Sequence, residues 1–525
     1  MQLVVDDIKI EIEQDGKPEL ISEAASLLGL DASQISLYLI LSRQLDCKNP
    51  EQFYFRYILA VEVPESYQNH RHYKLFRPRS YNRPNYGGQA LIRPIIVGFG
   101  PAGMFAAIEL IKNGLKPVIF ERGKKVGART ADIERFIKEK KLEPESNIQF
   151  GEGGAGTYSD GKIFSRRNRN VSYVSRVLDT LMEFGAPPDL SYREKPHLGT
   201  DVLRVIVKNI RNYILEHGGR IYYSSKLTDL IIKNQSAAGV VINGRDEYSA
   251  SHILLALGHS ARDTYAMLDA RGLAMVPRQI SLGVRIEHPA ETINLFRYGH
   301  KYQHYRPLGA ASYSINFTNR ARGTGAYTFC MCPGGVVVNA ASEEGRLAVN
   351  GMSYSDRALP YSNAAVVVPC RIFHYPDQHP LAGIKLQRQI ENGAFKAGGQ
   401  SWQAPAQSLY NFLGLSRENQ LGRETSYPMG LTAARLDDYL PEFITSQLRE
   451  AFGCWRQQYP LFVSEQAMLI GAETRTSSPV RLLRNKAMES VNIGNIYPIG
   501  EGAGYTGGIT SSAADGIRAA GAVMK

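Results

Sequence analysis

The sequence predicts an α/β protein whose main domain is assembled from segments at both ends of the chain, and three stretches predict it. Residues 94–103 read Pro-Ile-Ile-Val-Gly-Phe-Gly-Pro-Ala-Gly, an apolar strand entering G-x-G-x-x-G. Residues 118–121, Val-Ile-Phe-Glu, form a second apolar strand ending in an acid. Residues 495–518 supply a short strand, the pair Gly500-Glu501, a glycine-rich loop and the start of a helix.

Residues 1–78 read as a small α/β module. Strands are expected at 3–12 and 53–63, with helices at 22–28 and 33–41. Residues 79–92 have the Arg, Pro, Asn and Gly content of a linker. In the fingerprint that follows, Gly98 makes the tight turn, Gly100 lets backbone approach a pyrophosphate, and Gly103 lets the helix pack against the strand. The helix over 102–113, with Pro101 and Ala102 at its start, aims unpaired N–H groups and a positive dipole end at the phosphates. Met104, Ala107, Ile108 and Ile111 mark its apolar face, and Gly114 stops it. Glu121, 18 residues after Gly103, suits a ribose carrying free hydroxyls.

A charged helix is expected over 130–141, then the stretch 150–162, whose glycine density presents backbone to a neighbour. A helix over 201–216, a strand at 220–223, a hairpin across 227–242 and a buried strand at 253–257 lead the chain back to the first sheet. Residues 93–262 thus form the first part of a Rossmann-like domain and 471–525 complete it. The intervening 263–470, mixed in its patterning, reads as an α+β substrate domain. Two nucleotide-binding segments so far apart distinguish FAD proteins from simple NAD dehydrogenases, which keep the fingerprint in one continuous domain.

Composition narrows the class. A chain of 525 residues, 43% hydrophobic and 21% charged, has room for two to four domains and a large core. No apolar run approaches the roughly 20 residues of a membrane span. The first residues lack a signal-peptide pattern, so a cytoplasmic location is expected. Five scattered cysteines argue for reduced thiols, with Cys330-Met331-Cys332 the one close pair. The formal charge of +11 fits an acidic partner or a solvated surface. Basic and aromatic residues interleave over 67–86, which raises an RNA-associated flavoprotein as an alternative, although the composition there also fits a linker.

Residues 150–162, 255–262, 329–335, 473–479 and 500–508 together resemble the bacterial family of uncharacterised FAD-dependent dehydrogenases, over nearly the whole chain. That family is similar in fold to the glutathione-reductase superfamily of flavoproteins with two dinucleotide-binding domains. The resemblance implies FAD held by Gly98, Gly100, Gly103 and Glu121, with Arg122 alongside. It places Gly500 and Glu501 at the ribityl–phosphate region, and Gly508 and Ile509 at the isoalloxazine.

The resulting expectation is an FAD-dependent oxidoreductase exchanging a hydride with a small organic substrate. A monooxygenase on the same architecture is the alternative reaction. No C-x-x-C or C-x₄-C is present, against dithiol transfer, and no second fingerprint marks an NAD(P) domain, although NAD(P)H could reduce the flavin transiently. Candidate catalytic groups are Lys162, near a possible anion nest of N–H groups, and Glu473 with Arg475, an acid and a guanidinium able to grip a carboxylate. His197 and His259 are proton donors by residue type. No metal site is expected, and oligomeric state is not legible.

Overall fold

Five short parallel strands carry the two ends of the chain into one sheet, in the order Ile496–Pro498, Ile253–Leu255, Ile95–Val97, Val118–Phe120, Arg220–Tyr222. The register sets Ile253 beside both Ile95 and Ile496. The central strands are buried on both faces, which is why they read as unbroken apolar runs. This computed structural model describes residues 1–78, 94–163, 171–422 and 424–525. The expected linker, 79–92, and with it residues 79–86 of the basic aromatic stretch 67–86, lie outside the described residues.

Helices Pro101–Lys112 and Ile509–Val523 pack together over one face of this sheet. Their approach is close enough that a Cβ on Gly516 would lie 2.1 Å from the Ala102 carbonyl oxygen. On the opposite face, the three-stranded antiparallel meander Leu227–Lys233, Ser236–Ile242, Asp246–Ser249 shares a core with the sheet.

A second sheet of seven strands runs Asn316–Asn319, Thr324–Cys332, Tyr361–Cys370, Ile280–Pro289, Met468–Glu473, Ala404–Ser408, Leu431–Ala433. All its pairs are antiparallel except the last. Helix Glu442–Gln458 covers it through Phe452 and Trp455, which meet Phe462 in an aromatic cluster. The fold is therefore mixed α/β, as expected from the sequence.

The amino-terminal sheet has the order Ser36–Asp46, Tyr54–Glu62, Gln2–Glu11, Lys74–Leu75, with helix Lys17–Leu28 against it. The expected helix at 33–41 is wrong: Ser36–Asp46 is a strand paired along its length with Tyr54–Glu62. Leu37, Leu39, Ile40 and Leu45 satisfy a helical spacing as well as a strand's, and the cross-strand ladder decides between them. This sheet shares one hydrophobic core with the seven-stranded sheet, and Phe53 stacks on Tyr302 at 4.3 Å between ring centroids. Among the described residues no helix is long and apolar enough to cross a membrane.

Candidate functional site

A cavity of about 1400 Å³ lies between the carboxyl ends of the parallel strands and one face of the seven-stranded sheet. Ligands of open α/β sheets bind at such strand ends. Its wall includes Gly98, Gly100, Pro101, Ala102, Glu121 and Arg122 from the fingerprint side, and Gly500, Glu501, Gly508 and Ile509 from the carboxyl-terminal loop. Lys162, Glu473, Arg475 and His259 belong to the same wall. Gly103 stands behind it, where a Cβ would lie 2.1 Å from the Gly98 carbonyl oxygen. Gly98 has φ +99° and its own Cβ would meet the Ala256 carbonyl at 2.3 Å, so only glycine fits that turn.

Two helix amino termini open onto the cavity. Pro101–Lys112 begins after Gly100 with Pro at its start, Ile509–Val523 begins after Gly508, and neither end is capped by a side chain. Both are thus provided for an anion or a partly negative oxygen.

The buried Glu121 carboxylate accepts from Phe99 N at 2.8 Å, Gly123 N at 2.9 Å and Gly151 N at 3.0 Å. A carboxylate offers roughly four acceptor positions, so room for a hydroxyl remains. Arg122 stacks on Phe150 at 3.9 Å and is engaged by Glu145 at 2.7 Å and by Asp263 through a fork at 2.9 and 3.0 Å.

The first part of the glycine-rich stretch is a fastened wall, with four consecutive N–H groups bonded inside the protein. Gly151 N donates to Glu121, Glu152 N to Lys124 O, Gly153 N to Phe99 O and Gly154 N to Gly151 O. Two side chains that sequence reasoning missed hold it. Arg129, fully buried on helix Val126–Glu139, donates to the carbonyls of Asn147, Ile148, Gly151, Glu152 and Gly154. Glu152 accepts from Val126 N at 2.7 Å and pairs with Arg211 at 2.9 Å.

The candidate catalytic groups divide. Arg475 spends its donors on Glu391, Ser260 and Ser342, so it braces the wall and has no fork left for a carboxylate. Lys162 pairs with Asp160 at 2.9 Å and donates to the Met331 carbonyl. Burial draws its pKa down, and Asp160 together with Cys330 and Cys332 more than offsets this. His197 is not part of the wall. Burial pulls it down to about 4 and His259 to about 3, so both are neutral imidazoles near pH 7.

Glu473 pairs through one oxygen with Arg285 Nη1 at 3.0 Å, yet burial pushes it up to about 7. Glu501 is likewise pushed up to about 7, by burial, against the pull of Arg278 and with Cys330 adding to the rise. A folded carboxyl that keeps its proton to about pH 7, where an unfolded one loses it near 4.5, contributes stability below pH 4.5 that is lost as pH rises to 7. His197 and His259, neutral when folded, act in the opposite sense below pH 6.5, so the flavin-free Glu501→Gln protein is expected to lose only the Glu501 share, its thermal midpoint between pH 5 and 8 falling less than that of the wild type. Equal falls in midpoint scans of both proteins contradict the assignment.

Residues 279–476 match the family model described as "FAD-dependent protein, C-terminal domain-like". An uncharacterised protein of Clostridium beijerinckii is 44% identical over 430 residues, covering 82% of this chain and 80% of that protein. The chain belongs to this uncharacterised family of FAD-dependent proteins. A thiamine thiazole synthase of Pyrococcus horikoshii is 27% identical over 150 residues, 28% of this chain and 45% of that enzyme. Among solved structures, a glycerol-3-phosphate dehydrogenase from Bacillus halodurans complexed with FAD aligns over 82% of this chain and 64% of its own, at 10% identity and a TM-score of 0.36. For the family, the region matched by the model spans the seven-stranded sheet from Ile280–Pro289 to Met468–Glu473.

Proposed function

We propose that this protein is an FAD-dependent oxidoreductase that binds the dinucleotide along Gly98–Glu121 and Gly500–Ile509 and a small organic substrate against the seven-stranded sheet. One observation carries the reading: fingerprint residues and the carboxyl-terminal loop wall a single cavity. At about 1400 Å³ it exceeds the roughly 300–1,000 Å³ usual for one small ligand. The residues present fit the cofactor. Two uncapped helix ends suit pyrophosphate and a polarised ring oxygen, and Glu121 retains acceptor capacity for a ribose hydroxyl.

When bound, FAD supplies the hydride chemistry, with NAD(P)H as a transient donor in this reading. The chain's own contribution is binding, orientation and proton handling. Glu473, fixed by Arg285 and lining the cavity, is suited to hold or accept a proton near neutral pH. The wall as a whole resembles the two-dinucleotide-binding-domain flavoproteins in its use of both chain ends.

The test is an absorbance scan of the purified protein, followed by anaerobic titration with NADH, NADPH and a panel of organic donors. Bound FAD bleached by at least one donor is the expected result. A protein without flavin peaks that gains none on adding FAD overturns the reading.

A further inference from the structure

The seven-stranded sheet has two unlike faces, and strand alternation decides which side chains meet the cavity. Along Ile280–Pro289, Ile280, Leu282, Val284 and Ile286 pack into the hydrophobic core, so Ser281, Gly283 and Arg285 take the other face. Directly paired residues share a face, and the register carries that second face across the sheet. Glu473, Gly283, Val367 and Tyr327 form one row, and Arg285, Ala365 and Phe329 the next. Tyr327 and Phe329 line the cavity edge to face, 6.5 Å between ring centroids, and Phe329 is 36% exposed. The two rings make an apolar platform on an otherwise polar floor, to which the neighbouring strand adds Asn316 and Thr318.

Three arginines gather at one end of this face, and all three line the cavity. The pairing of Tyr361–Cys370 with Ile280–Pro289 ends at Cys370 and Ile280, and Arg371 and Arg278 lie just beyond it. Arg320 sits in the turn between Asn316–Asn319 and Thr324–Cys332, where Gly323 O accepts from Arg371 Nη2 at 2.6 Å. Arg278 donates to Ser478 O at 3.2 Å. Among the described residues neither Arg320 nor Arg371 has a carboxylate partner. The acids of the wall are engaged elsewhere or protonated close to neutrality. Glu121 is held by three N–H groups, Asp160 pairs with Lys162 and Arg357, and Glu473 and Glu501 keep their protons to about pH 7. Glu194 adjoins Lys195, and Glu450, on the helix covering the sheet, accepts from Asn319 at 2.6 Å. An anion at this end meets guanidinium donors not already spent on a carboxylate, in the planar fork that a carboxylate matches.

We propose that the substrate is an organic acid with an apolar body, the body lying on Tyr327 and Phe329 and the carboxylate held by Arg371 and Arg320, with Arg278 flanking. The inference rests on the oxidoreductase reading and names its substrate class. Val367, in the Tyr327 row, and Arg371 are four residues apart on one strand, roughly 13 Å at 3.3 Å per residue. An arginine side chain reaches back over part of that span, so a chain or ring fits between the platform and the charge. Arg475, the guanidinium that the sequence offered for a carboxylate, is spent on Glu391, Ser260 and Ser342, and Arg320 and Arg371 take the role instead.

Calorimetric titration of the full-length, flavin-loaded protein with cinnamate, 4-phenylbutyrate and octanoate, each against its primary amide, tests it. At least one acid is expected to bind about tenfold more tightly than its amide, the difference that one charge-assisted hydrogen bond supplies. Arg371→Gln and Arg320→Gln should each reduce that preference roughly threefold and leave the affinity for the amide and the flavin absorbance as in the wild type. Acids that bind no better than their amides, or a preference that survives in the Arg320→Gln/Arg371→Gln double variant, overturn the inference while the flavin spectrum, and the reading built on it, stand. A protein that neither carries flavin nor takes it up overturns that reading, and the inference falls with it.

Discussion

Replacing Arg129 with methionine should give a protein that retains little flavin and melts far below the wild type. The side chain is wholly enclosed, and its guanidinium satisfies five backbone carbonyls between Asn147 and Gly154, at 2.8 to 3.2 Å. Methionine fills similar space and donates nothing. The Gly151 and Gly154 carbonyls keep the Gly154 and Thr157 N–H groups, but those of Asn147, Ile148 and Glu152 would lose their donor at about 1–3 kcal/mol each, together a large share of the stability of an ordinary domain. The wall residues Gly151, Gly154, Ala155 and Gly156 would lose their register with Gly100 and Pro101 across the cavity. Burial draws Arg129 down to about 10, which still leaves it charged at pH 7. Arg129→Lys, a point charge with at most three donors, should fall between the two. A thermal scan and the flavin-to-protein absorbance ratio measure both effects. A wild-type midpoint with full flavin content in Arg129→Met would show the loop to be held by something else.

What the sequence made legible followed from residues whose chemistry is local. Gly98, Gly103 and Glu121 sit within one strand–turn–helix–strand unit, so spacing alone gave their arrangement, and the structure places Gly98 and Glu121 in the cavity wall with Gly103 behind it. The closing helix was legible for the same reason, since Gly500-Glu501 and the turn before Ile509 read as a strand end and a helix start. Arg129 was invisible because it lies in a helix rich in Arg, Glu and Lys, where any one charge reads as solvated; only the tertiary position of 147–154 makes it interior. Arg285 was hidden similarly, as one charged residue in a strand that also carries Glu287 and His288, with nothing local to mark its partner. The acid and guanidinium of Glu473 and Arg475 stand out in the sequence, and the structure sets both in the cavity wall as members of internal salt bridges. Their counter-ions, Arg285 and Glu391, come from distant elements that no local pattern connects to them. At 33–41 the error was of a different kind, since a half-exposed strand with interrupted alternation carries no strong period of either type.

Neutralising one carboxylate, Glu391→Gln, should loosen the junction between the two sheets and reshape the acid limb of the stability curve. Glu391 projects from helix Ala382–Ala397 and takes Arg262 in a fork at 2.7 and 2.8 Å, Arg475 at 3.1 and 3.2 Å, and the Thr474 hydroxyl at 2.7 Å. Arg262 follows the strand Ile253–Leu255 of the parallel sheet, and Arg475 follows Met468–Glu473 of the seven-stranded one. The three groups are almost wholly buried, so the amide would leave two enclosed guanidiniums with only Glu343, on Arg262, as counter-charge. Breaking a buried pair in this way costs about 3–5 kcal/mol, although an apolar replacement of the whole triad need not. The sign with pH is set by the depressed carboxyl. Glu391 lies far below the usual range, despite burial, because Arg262 and Arg475 stabilise its charge. Its contribution is therefore present above the unfolded value near 4.5 and is lost as pH falls below it. Wild-type midpoints should drop steeply from about pH 4.5 downward, and those of Glu391→Gln should start lower at pH 7 and fall less over that interval. Parallel curves in thermal scans from pH 3 to 7, offset or not, would mean that the charge of Glu391 is not what binds the sheets together.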